Sequence, residues 1–330
     1  MVKNKPVYAF EEADSKNRIL LGGKGAGLSE MTRLKLPVPV GFTITTEVCN
    51  KYYDDDKKLP KDVMPAVMKN IAKMEKKTGK KWNSMKNPLL VSVRSGAATS
   101  MPGMMDTILN LGLNEKTVVG LAEQTKNPRF SWDSYRRFIQ LFGKVVFGVN
   151  DEKFDHVLDS AKEKQGITDD SKLNVESLKI IVLQYKKICE EHTKRKFPDT
   201  PDEQLVLSIE AVFKSWMGER AIVYREKNNI TKDIANGTAV NIVAMVFGNM
   251  GDDSATGVVF TRNGHNGKKE MEGEYLINAQ GEDVVAGVRT GASIELLKKD
   301  MPKSHKELSN ACTKLEKHFR EPQDIEFTIE

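Results

Sequence analysis

The sequence predicts an α+β protein, and three successive patterns support that class. Residues 1–110 mix short strand-like apolar runs with helices, residues 115–220 are helical almost throughout, and strand patterns return from residue 237. At 330 residues the chain exceeds the usual size of a single hydrophobic core, so two or three compact parts are expected.

In the first stretch, apolar runs at 7–10, 42–45, 89–93 and 107–111 read as strands, and residues 61–77 space their apolar side chains as a helix does. The second stretch holds PRFSWDSYRRFIQLFGKVVFGV, FDHVLDSAKEK, LNVESLKIIVLQYKKICEEHTKRK and DEQLVLSIEAVFKSWMGERAIVYREKN. Pro, Asp and Gly breaks between these segments stop one helix and start the next, so a helical insert or lid is the economical reading. In the third stretch GTAVNIVAMVFGN, TGVVFTR, GEYLINA and QDIEFTIE read as strands, with a helix over 304–319 between the last two.

Composition narrows the function classes. Hydrophobic residues make up 39% of the chain and aromatics are few, as in ordinary globular proteins. The net charge is +5, but Lys and Glu are interspersed along the helices, which favours solvated faces over a nucleic-acid-binding stripe. Cys49, Cys189 and Cys312 stand far apart and show neither disulfide nor zinc spacing. A reducing, cytoplasmic location is therefore expected. The first residues lack the apolar segment of a signal peptide, and no apolar run reaches the roughly eighteen residues of a membrane span, so no membrane partner is expected.

Four clusters could support chemistry, and each has a plain structural alternative. LLGGKGAGLSEM, residues 20–31, fits neither the P-loop nor the dinucleotide spacing. Glycines that open a helix nevertheless expose amides at its positive end, and Lys24 adds a mobile cation; the alternative is a helix start with a solvent lysine. Arg94 follows a buried strand, where a guanidinium is costly unless it meets an anion. Small residues after it, including Gly96 and Gly103, can bring backbone amides close to an oxyanion, although a structural ion pair would also explain Arg94. MGDDSATGVVFTRNG, residues 250–264, reads as a hairpin whose tip, with Thr256 and Gly257, could fold over phosphates or be a plain surface turn. Just upstream, VNIVAMVFGN with Met245 could offer an apolar slot for a flat ring, or be core strand. Finally, DIEFTIE alternates strictly: Asp324 and Glu326 share one face, where they could hold Mg²⁺ or serve as edge-strand charges.

Several blocks go further: LLGGKGAGLSEM, PVPVGFTITTEVC, LLVSVRSGAATSMPGMMDTILNLGLN, SYRRFIQLFG, SATGVVFTRN, GEYLINAQGEDVVAGVRT and KLEKHFREPQDIEFTIE. Together they closely resemble the N-terminal nucleotide-binding domain of the pyruvate, phosphate dikinase family, which is related to phosphoenolpyruvate synthase. The long MPGMMDTILNLGLN stretch is what separates that resemblance from the wider group. The resemblance implies an ATP-grasp-like fold with a helical subdomain insert, and a phosphotransferase that moves phosphoryl groups from ATP, and to inorganic phosphate, via a histidine on a separate domain. It matches Lys24 and Arg94 to phosphate-binding cations with catalytic roles, Gly103, Thr256 and Gly257 to phosphate loops, and Asp324 and Glu326 to acids near Mg²⁺. It also admits a homodimer for the full-length enzyme.

The expected parts are a mixed subdomain over 1–110 with 199–240, a helical subdomain over 111–198, and a sheet subdomain over 241–330. The family's ATP domain runs on into a Leu-Gln-Thr-Arg-like motif, which this sequence does not reach. None of the five histidines lies in a histidine-carrier motif. The chain is thus expected to be a fragment lacking the phosphohistidine and pyruvate domains. A nucleotide-binding regulatory module, or an interaction protein using its basic helices, remains the alternative class.

Overall fold

A computed structural model describes residues 4–285 and 290–330 of the chain. Residues 1–3 and 286–289, the latter inside the GEDVVAGVRT block, lie outside the described residues. Two compact units are present, Met1–Met245 and Val246–Glu330.

The first unit runs β1 (Val7–Ala9), α1 (Arg18–Arg33), β2 (Gly41–Ile44), α2 (Thr46–Asp54), α3 (Val63–Thr78), β3 (Val91–Gly96) and β4 (Thr107–Leu111). Six helices follow: α4 (Glu115–Thr125), α5 (Pro128–Phe147), α6 (Glu152–Gln165), α7 (Val175–Thr193), α8 (Pro201–Trp216) and α9 (Glu219–Lys227). β5 (Ala239–Ala244) closes the unit and inserts into the middle of a five-stranded sheet of order β1-β2-β5-β3-β4. Every described pairing in that sheet is antiparallel, and the helices α4–α9 form one uninterrupted run between β4 and β5, which fits the α+β class. The expected third part would begin inside β5, whereas the chain divides after Met245.

The helical run is punctuated by the chemistry that the breaks advertise. Asn114 accepts from the backbone of Lys116 and Thr117 in a capping box, Asn127 caps α5 ahead of Pro128, and Thr200 caps α8 ahead of Pro201. Gly148 ends α5 in the left-handed region, at φ 71°. Phe138, Phe142, Phe147 and Phe197 pack ring against ring, with centroids 5.2–6.1 Å apart. Beside them lies a buried ionic cluster. Asp133 accepts from Arg136 at 2.6 Å and from Arg137 at 3.2 Å, and Arg136 also reaches Asp170 at 3.4 Å. Burial would raise the Asp133 carboxyl, but Arg136, Arg137 and Arg129 outweigh it and hold the group well below the usual carboxylate range.

The second unit runs β6 (Ala255–Phe260), β7 (Glu272–Ile277), α10 (Gly281–Val285), β8 (Ala292–Ser293), α11 (Leu297–Asp300), α12 (Pro302–Phe319) and β9 (Asp324–Ile329). Its sheet has the order β8-β7-β6-β9 and is antiparallel throughout its described pairings. Ala255, Val259, Tyr275, Ile294, Leu297, Leu308 and Cys312 form its core, against which Ile325, Phe327 and Ile329 of β9 pack.

One expected element is overturned. The apolar runs on either side of residues 250–254 are not a hairpin: β5 pairs with β2 and β3, while β6 pairs with β7 and β9 in the other sheet. Two adjacent apolar runs and a short Gly/Asp connection satisfy a hairpin pattern locally, but both edges of β5 are taken by β2 and β3, which leaves none for β6. The hairpin near the glycine-rich segment is instead β3–β4, with residues 97–106 as its loop.

Candidate functional site

Strand register assembles the site. Tyr8, Thr43, Asn241, Arg94 and Thr107 are cross-strand neighbours in turn, so they form one row across all five strands on one face of the sheet. Around that row the same face carries Gly41, Ser92, Gly96, Ala239 and Val243. The other face presents Phe42, Ile44, Val91, Val93, Val240 and Ile242, all fully buried. Strand alternation thus commits one face to the core and leaves the other small and polar.

Helix α1 lies on the polar face, and glycine makes that possible. At Gly22 the backbone leaves the helix with φ 69° and ψ 164°, and helical geometry resumes after it. A Cβ on Gly22 would fall 1.8 Å from the Gly96 carbonyl oxygen, and one on Gly25 would fall 2.8 Å from both Asn241 Oδ1 and Thr43 Oγ1. The Gly23 N–H donates to the Ala97 carbonyl at 2.8 Å. The two glycine-rich segments, more than sixty residues apart in sequence, therefore meet directly. Lys24, exposed, stands in the first turn of the resumed helix, where the macrodipole is positive, and Arg94 is half-buried in the row beneath. The expected helix start is thus a helix interrupted at Gly22, which places its positive end beside β3.

The β3–β4 loop presents Gly103 exposed, with φ 69°. Met101 at its start is buried, while Met104 and Met105 are half-buried. At the loop's end, burial pushes the Asp106 carboxyl above the usual carboxylate range, against the pull of Arg220 and Lys144. Met245, half-buried after β5, donates its N–H to the Leu90 carbonyl at 2.9 Å.

In the second unit Thr256 and Gly257 do not form a tip; they lie inside β6 and are buried. The Thr256 hydroxyl donates to the Phe327 carbonyl at 3.1 Å, and a Cβ on Gly257 would fall 2.6 Å from the Phe327 ring and 2.5 Å from the Glu274 carbonyl oxygen. Their immediate effect is to let Phe327 cross over β6. Asp324 and Glu326 are exposed on the face opposite the core, as the alternation predicts. Register adds two carboxylates that the sequence pattern did not single out: Glu326, Val258 and Glu274 form one row, and Asp324, Phe260 and Glu272 the next. Among the described residues, no three His, Cys, Asp or Glu side chains converge as a metal cage.

Sequence reading missed Thr43, Asn241 and Asp106. A polar residue inside the apolar run AVNIVA was the available signal for Asn241, but only register shows that it adjoins Arg94.

The sequence model of the pyruvate phosphate dikinase AMP/ATP-binding domain matches residues 18–57 and 55–310. The chain belongs to this family. Pyruvate, phosphate dikinase of Entamoeba histolytica is 54% identical over 326 residues, covering 98% of this chain and 37% of that protein. The Clostridium symbiosum protein of the same name is 51% identical over 327 residues, covering 99% of this chain and 37% of its own length. The chloroplastic pyruvate, phosphate dikinase 1 of Arabidopsis thaliana is 48% identical over 333 residues, 34% of its length. The chain thus spans roughly a third of these relatives. No described helix is long and apolar enough to cross a membrane.

Proposed function

We propose that this chain binds ATP with Mg²⁺ on an ATP-grasp-like fold and supplies the ATP-dependent half of a pyruvate, phosphate dikinase reaction. The observation that supports this reading is the meeting of Gly22 and Gly23 with Gly96 and Ala97, which sets Lys24 and Arg94 at one polar sheet face. Phosphoryl transfer asks little covalent chemistry of a protein; positioning and neutralisation of the phosphate oxygens do most of the work. The Arg94 fork is suited to two phosphate oxygens at once, and Lys24 is suited to a mobile point contact. Gly103 adds an open backbone position in the β3–β4 loop, and Met245 an apolar surface for the base.

Glu326, with Asp324 beside it, would hold Mg²⁺. A hard divalent ion that keeps water and phosphate oxygens in its shell needs only one or two carboxylates, and the open edge of β9 offers that number. When bound, Mg²⁺ supplies charge that offsets the phosphates. The phosphoryl group then passes to a histidine on a separate domain and toward pyruvate and phosphoenolpyruvate, with inorganic phosphate as the other acceptor.

Calorimetric titration with MgATP tests the binding. Arg94→Ala is expected to lose about 1.5–3 kcal/mol, the range for hydrogen bonds to charged groups, and Lys24→Ala less. Unchanged affinity in both variants would make the two residues structural. Mixing the chain with a separately produced histidine domain, ATP and phosphate tests the transfer. Binding without any phosphohistidine would reduce the chain to a nucleotide-binding module.

A further inference from the structure

Asn241 stands where the polar row and the two glycine segments meet. It is fully buried in the centre of β5, with Thr43 on one side and Arg94 on the other in register. Its Oδ1 accepts from the Thr43 hydroxyl at 2.8 Å. Its Nδ2 is buried and makes no hydrogen bond. That atom lies 2.7 Å from where a Cβ on Gly96 would be, and Oδ1 lies 2.8 Å from where one on Gly25 would be. Each glycine segment therefore rests on one end of a single side-chain amide. A buried donor left without an acceptor is costly, so its placement calls for a reason beyond packing.

On the reading that ATP binds at Lys24 and Arg94, we infer that Asn241 is a positioning residue for that phosphate-binding face. With the oxygen end on Thr43, the positive end of the amide dipole points toward Gly96. This sets the spacing between the two glycine segments and favours an oxyanion on their outer side. Leucine would fill a similar volume but carry no dipole. Aspartate would keep the acceptor for Thr43 and place negative charge where the donor now lies, pairing with Arg94 and repelling phosphate.

The test compares MgATP with adenosine in the 330-residue chain, using wild type, Asn241→Asp and Thr43→Val. Asn241→Asp is expected to weaken MgATP by about tenfold or more, with adenosine affinity unchanged. Thr43→Val keeps the shape but releases the carboxamide oxygen, and should shift MgATP in the same direction by less. Equal MgATP affinity across the three proteins overturns the inference, as do parallel losses for MgATP and adenosine, which would mark general damage to the fold. If Asn241→Asp does not fold, Thr43→Val decides between the same outcomes. A wild-type chain that binds adenosine and MgATP equally, or neither, removes the ATP-site reading and the inference together. Selective MgATP binding by wild type that both variants retain removes the inference alone.

Discussion

In the five-stranded sheet the polar row of Thr43, Asn241 and Arg94 is covered by α1, and the cover fits only because Gly22, Gly25 and Gly96 lack side chains. In the four-stranded sheet the polar face behaves differently along its length. Thr256 and Leu276 are buried at one end, where α10 lies against β6, while Phe260, Asp324, Glu326 and Glu274 are exposed toward the other. A covered polar face transmits any change in volume to the backbone that covers it, and an open one passes the change to solvent. Stability should therefore respond steeply to substitutions on the first face and weakly on the second.

The steepest response is expected at Gly22. Gly22→Ala must accommodate a Cβ against the Gly96 carbonyl at a positive φ, so strain and overpacking together should cost about 4 kcal/mol. Gly27→Ala is the internal control: nothing lies within 4 Å of its Cβ position, and the helix should gain about 0.5–1 kcal/mol. Denaturant midpoints for the two variants that moved the same way would break the comparison.

Next comes a covered carboxylate away from the sheet. Asp133→Asn takes from buried Arg136 its nearer counter-charge, leaving only Asp170 at 3.4 Å, and should cost about 3 kcal/mol at neutral pH. Because the folded group titrates below its unfolded value, near 3.9, its contribution is complete above that value and is lost as pH falls toward the depressed one. The gap between wild type and variant, followed by thermal unfolding, should therefore narrow only in acid below about pH 4. A gap that closed near neutrality would mean that a different group is responsible.

Gly257→Ala probes the four-stranded sheet from its covered side. The new methyl meets the Phe327 ring and the Glu274 carbonyl, for an expected loss of about 2 kcal/mol in urea unfolding. Smallest of all should be Glu326→Gln on the open side, within about 0.5 kcal/mol in stability. Its signature lies in binding: the Mg²⁺-dependent part of ATP affinity should fall while metal-free binding holds or improves. Equal metal dependence in wild type and variant would return Glu326 to the role of an edge-strand charge.

Local pattern was enough to place most elements. The 107–111 run is β4, the 61–77 periodicity is α3 within two residues, and of the Pro, Asp and Gly breaks Pro128 and Pro201 open α5 and α8 while Gly148 and Gly166 end α5 and α6. The DIEFTIE alternation appears unchanged in the exposure of β9. What local pattern could not supply is partnership between distant strands. β5 and β6 read as neighbours because they are adjacent in sequence, yet β5 pairs with strands about 145 and 200 residues earlier, a distance that loop-closure entropy penalises only weakly once chains are long. The same limit hid Asn241, since nothing within a short window tells a core asparagine from one beside Arg94. Glu272 and Glu274 were missed for the matching reason on the other sheet: they join Asp324 and Glu326 only across β6.

The central position of β5 also bears on how the molecule is made. β1–β2 and β3–β4 emerge from the ribosome early, but the strand that joins them follows the whole helical run. At usual elongation rates the interval between β3 and β5 is on the order of ten seconds. During that time β2 and β3 lack the strand that occupies their inner edges in the finished sheet, and an unpaired strand edge is a template for pairing with a neighbouring chain. The late arrival of β5 thus sets the interval over which those edges stay open, whatever the stability of the finished fold.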